Sequence, residues 1–172
     1  MDLVVYKHEV IEWLNQNTTE LSDRLWNNLT CFSAQHNILL DYVEYVYISF
    51  LRSSIIDQYP WFKIDLCGNN AWLDIDHSYF FWDVQEFRNL AEKHRLEQDA
   101  YMLNSKKTSQ QLLYETFLME GAEIVHSLMP SVMRTISANI PWNGFKHGKE
   151  LHIYYGEYLS NYGLIYSKIQ EG

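Results

Sequence analysis

The sequence predicts a mainly α fold, a bundle of about six helices with one inserted β-hairpin at residues 61–78. Three observations lead there. Apolar residues recur at helical spacing through most of the 172-residue chain. The pairs Asn17/Glu20, Asp83/Glu86 and Thr108/Gln111 imitate the reciprocal caps that open helices. Around Asn69-Asn70, by contrast, Phe62, Ile64 and Leu66 alternate with Lys63 and Asp65, which is strand periodicity beside a turn. The length suits one domain, 1–172.

Taken in order, the first helix starts after Asp2, a good N-cap, with Leu3, Tyr6, Val10, Trp13 and Leu14 on one stripe. Asn17 opens the second, whose apolar face is Leu21, Leu25, Leu29 and Phe32. Residues 35–58 read as a third helix, apolar nearly all round and so central. It must stop before Pro60. In the hairpin, a two-residue turn at Asn69-Asn70 sets Leu66 opposite Leu73, Ile64 opposite Ile75 and Phe62 opposite His77. A helix begins at Asp83, with Phe87, Leu90, Ala91 and His94 on its stripe, and a long one at Thr108. Pro130 kinks or divides the latter. For the C-terminal segment, Leu151, Tyr155, Tyr158, Tyr162, Ile165 and Ile169 fit a helical stripe, although the tyrosine-rich runs also suit a second hairpin. Helix is the reading adopted; the hairpin alternative would let both hairpins share one small sheet.

Composition narrows the function classes. Lys and Arg total 13 against 22 Asp and Glu, a net charge of −9. Tracking phosphates needs clustered cations, and Lys106-Lys107 is the one adjacent basic pair. DNA and anionic membranes are therefore disfavoured, and a partner with a basic surface is favoured. The most apolar stretch, 38–51, is too short to span a bilayer. The charged N-terminus does not resemble a secretory signal, and the two cysteines lack metal or redox spacing, so a cytoplasmic setting is expected. Thirteen tyrosines and six tryptophans bury a large core and also leave amphipathic rings for the surface. Such rings are enriched at contact surfaces.

Few constellations suggest chemistry. The predicted hairpin register puts Asp65 opposite Asp74 and Lys63 opposite Asp76. Facing carboxylates are unfavourable, so Lys63, solvent, a cation or a basic partner must offset them. Glu123 and His126 share a helix face at metal-ligand spacing, but the second such motif that a di-metal bundle needs is missing. No zinc pattern, serine-nucleophile motif or phosphate loop is present, and no cofactor is expected. The run Arg88-Asn89-Leu90-Ala91-Glu92-Lys93-His94 resembles the Arg-polar-spacer-His signature of HEPN-domain RNases. That resemblance, confined to these seven residues, implies a compact helical bundle in which Arg88 and His94 meet across a dimer, activate a ribose hydroxyl and cleave RNA without metal.

The function expected from the sequence is stoichiometric binding to a protein, as an inhibitor or immunity-type neutraliser of a basic enzyme or toxin. Asp65, Trp72, Asp74 and Asp76 are the expected contact residues, with Trp61 or Trp82 as aromatic anchors. A metal-independent RNase using Arg88 and His94 is the alternative, and a metal-binding helical protein using Glu123 and His126 the weaker one. The small-residue stripe Gly156, Ser160, Gly163, Ser167 also leaves room for a homodimer.

Overall fold

The computed structural model describes residues 3–38, 40–51, 62–68, 78–86, 89, 92–93, 107–142 and 150–169. Among these, the architecture is two long helices against one face of a five-stranded mixed sheet, not a six-helix bundle.

Helix α1 runs unbroken over Leu3–His36. Its buried stripe, Tyr6, Val10, Leu14, Leu21, Leu25 and Leu29, continues straight through the expected break. The polar residues there turn back into the helix. Asn17 Nδ2 donates to the Trp13 carbonyl at 2.7 Å and Thr18 Oγ1 to that of Leu14 at 2.6 Å. Side chains of these types cap a helix or bond one turn back, and spacing alone does not tell which. The helix ends where Asn37 adopts φ 54°, letting Ile38 N–H reach the Ser33 carbonyl at 2.9 Å.

Residues 35–58 do not form the third helix. After a single 3-10 turn, Leu40–Tyr42, strand β1 spans Tyr45–Phe50. Strand β2 is Phe62–Cys67 and β3 is Ser78–Trp82. Helical residues follow at 85–86, 89 and 92–93. Helix α2, Lys107–Asn139, then runs through Pro130 as one element. The C-terminal segment is the second hairpin, β4 (Glu150–Glu157) and β5 (Tyr162–Ile169), not a helix.

The strand order is β3-β2-β1-β4-β5. Strand β1 is central, antiparallel to β2 and parallel to β4. Strand β2 is occupied on both edges, and this overturns the predicted hairpin register. Phe62, Ile64 and Leu66 face Trp82, Phe80 and Ser78 of β3, and Asp65 faces Tyr79 and Tyr47 rather than Asp74. The following strand that β2 pairs with is therefore Ser78–Trp82, not the segment expected after Asn69-Asn70; residues 69–77 lie outside the described residues.

Alternation along each strand separates two faces. Val46, Ile48, Phe50, Phe62, Ile64, Leu66, Phe80, Trp82, Leu151, Ile153 and Tyr155 point to the helices and join one core with the α1 stripe and with Val125, Met129, Met133 and Ile136 of α2. Trp82 is therefore a core residue and not a surface anchor. Helix α1 reaches β3, while α2 covers β4 and β5.

Candidate functional site

The remaining strand positions build the face that looks away from the helices. The register arranges them in three rows. Tyr79, Asp65, Tyr47, Tyr154 and Leu164 cross the sheet in one. Phe81, Lys63, Ser49, Gly156 and Tyr162 form the next, and Cys67, Tyr45, His152 and Ser167 the third. Aromatic and hydrogen-bonding side chains dominate all three.

The floor of this face is tightly paired. Lys63 Nζ donates to Asp65 Oδ1 at 2.5 Å, with Asp65 fully buried. The same ammonium stands 4.5 Å from the Tyr79 ring centre and 5.0 Å from that of Tyr158. Ser49 Oγ and Tyr162 OH share a hydrogen bond of 2.7 Å. The rings of Tyr47 and Tyr154 stack at 5.1 Å, and those of Tyr45 and His152 at 5.4 Å. Burial, reinforced by Cys67 and the neighbouring tyrosines, pushes the Tyr47 hydroxyl up to about 12. Tyr162 is also raised, by burial first, although the Ser49 hydrogen bond opposes it.

The β4–β5 turn places Tyr158 over Lys63 of this floor. Tyr158 N–H bonds the Phe50 carbonyl at 3.0 Å, extending the parallel β1–β4 ladder by one residue. Leu159 closes the turn in the left-handed region at φ 60°. The turn folds close against Gly156, where a β-carbon would overlap the Asn161 carbonyl.

Above the floor the face carries open apolar surface. Tyr79 is 48% exposed and Phe81 53%, their rings 5.7 Å apart, and Tyr158 joins them over Lys63, while Leu164, 51% exposed, lies on the opposite edge strand. Large rings left in water on one face are characteristic of contact surfaces.

Of the residues expected from the sequence, Asp65 lies on this face, buried beneath it and paired with Lys63. Trp61, Trp72, Asp74, Asp76, Arg88 and His94 lie outside the described residues. His126 is spent inside the fold: its Nδ1 is 2.8 Å from Tyr155 OH and its ring stacks on Phe50 at 4.6 Å. Glu123, three residues earlier, is exposed. Among the described residues no group of three His, Cys, Asp or Glu side chains could hold a metal ion. Likewise, no described helix is long and apolar enough to cross a membrane. The helical bundle implied by the RNase resemblance is not the architecture found.

Tyr79, Phe81 and Tyr158 went unrecognised in the sequence. The signal for the first two was present, since Tyr79 and Phe81 alternate with Phe80 and Trp82 as in any half-buried strand. Tyr158 carried none, because its position depends on the β4–β5 turn, which the adopted helical reading of this segment did not contain. No family model, curated protein or solved structure matches this chain.

Proposed function

We propose that this chain acts by stoichiometric binding of a basic protein, which docks on the aromatic face of the sheet. One observation carries the reading: Tyr79, Phe81 and Tyr158 stand exposed around Lys63 on the side opposite the described helices, above a floor fixed by Lys63–Asp65 and Ser49–Tyr162. Rigid rings on a preorganised base lose little entropy on binding, which suits a contact centre. The excess of 22 acidic over 13 basic residues supplies the second support, because it steers a positively charged macromolecule toward the chain. An inhibitor or immunity-type neutraliser of a basic enzyme or toxin combines these properties.

A photo-crosslinking amino acid tests this. It is placed at Phe81 and, as a control, at exposed Asn28 on α1, and the native cells are irradiated. The expected result is one discrete 1:1 adduct at position 81, with a protein rich in Lys and Arg, and none at 28. No adduct at 81, or equal labelling at both positions, overturns the reading.

A further inference from the structure

The surroundings of Lys63 are those of a ligand more than of a surface lysine. Its ammonium meets the Asp65 carboxylate at 2.5 Å and lies over two tyrosine faces, at 4.5 and 5.0 Å. A carboxylate floor with π-face walls is the arrangement that recognises alkylammonium ions. The walls are also more accessible than the contents. Tyr79 and Tyr158 are 48% and 40% exposed, whereas the Lys63 side chain retains 10% and that of Asp65 none.

We propose that Asp65, Tyr79 and Tyr158 form a cation-recognition site that the isolated chain fills with its own Lys63, and that accepts a lysine side chain from a bound partner. The inference rests on the docking reading above and names the group recognised there. Exchange is chemically balanced: one ammonium replaces another, so the ion pair and both ring contacts survive. Simply emptying the site would instead take the paired ammonium away from a buried carboxylate, which is unfavourable. The displaced Lys63 keeps its stem along the sheet while its head enters water, as long flexible lysine stems allow.

The test uses the isolated chain and needs no partner. Lys63→Ala removes a side chain equivalent to n-propylammonium. This variant is expected to melt about 10 °C below the wild type, as loss of one member of a buried pair implies. Added n-propylammonium chloride restores more than half of that loss, sodium chloride at equal ionic strength does not, and Lys63→Ala/Asp65→Asn does not respond. Recovery no greater than with sodium chloride, or equal recovery in the double variant, overturns the site. Should Lys63→Ala fail to fold, Lys63→Met keeps the stem and ammonium chloride becomes the probe, with the same recovery expected and the same two results overturning the site. A photoadduct at 81 without chemical rescue sinks the cation site alone. Rescue without a photoadduct keeps the cation site and overturns the docking reading together with the partner lysine that depends on it.

Discussion

Gly156 shows how one missing atom shapes the face. Its position in β4 is opposite Tyr162, and an added β-carbon would lie 2.9 Å from Tyr162 Cδ1 as well as against the Asn161 carbonyl. Backbone cannot yield as a flexible side-chain end can. Gly156→Ala is therefore expected to cost about 1–3 kcal/mol, read as a lower urea midpoint. Gly163, with open space where its β-carbon would be, serves as the tolerant control. Tyr47 sets a pH limit on the same face. Its hydroxyl is raised from 10.0 to about 12, chiefly by burial, so the folded state holds its proton more tightly than the unfolded chain does. The stability this confers is complete below pH 10 and is lost as pH rises through about 12. Thermal melts between pH 9 and 12 should thus fall steeply for the wild type and less steeply for Tyr47→Phe. Asp65 was legible in the sequence as a carboxylate in need of compensation. Its compensating partner is Lys63, two residues earlier on the same strand face.

Strand β5 is an edge of the sheet, and edges invite uncontrolled pairing. Two devices blunt it. The register shifts between Ile153 and Tyr154, so one residue of β5 bulges, and Arg134 Nε of α2 donates to the Ile165 carbonyl at 3.1 Å. Arg134→Ala is expected to lower stability by about 1 kcal/mol and to increase self-association, followed by urea unfolding and light scattering. The elements themselves were unequally legible. The α1 stripe was plain, and the alternation of β2 placed Phe62, Ile64 and Leu66 on the core side as found. Strand β1 was not legible as a strand. Its Tyr47 and Ser49 are buried as well as its core-facing residues, so YVYISF reads as an unbroken apolar run that periodicity cannot separate from a central helix. The C-terminal hairpin was hidden differently: Leu151, Tyr155, Tyr158, Tyr162 and Ile165 satisfy a helical stripe by number, and the alternation Leu151, Ile153, Tyr155 was the better guide.

At the scale of the molecule, the two described helices pack on one side of the sheet, and the proposed function assigns recognition to the tyrosine rows on the other. Substitutions toward the helices should unfold the chain, and those at the exposed rings should not. Phe81 is more than half exposed, so Phe81→Ser is expected to change unfolding free energy by less than about 0.5 kcal/mol. On the proposed function its effect belongs to binding, and kinetics can separate it from that of charge. A chain of net charge −9 attracts a basic partner over distances beyond contact, so the association rate should fall as salt is raised from 50 to 500 mM. Phe81 carries no charge and acts only once the surfaces meet. Phe81→Ser should therefore leave the association rate and its salt dependence unchanged while dissociation quickens at least tenfold. Surface plasmon resonance against the photo-crosslinked partner measures both. A variant that slowed association without altering dissociation would place the contact elsewhere, because a ring at the centre of an interface governs how long the complex lasts rather than how often it forms.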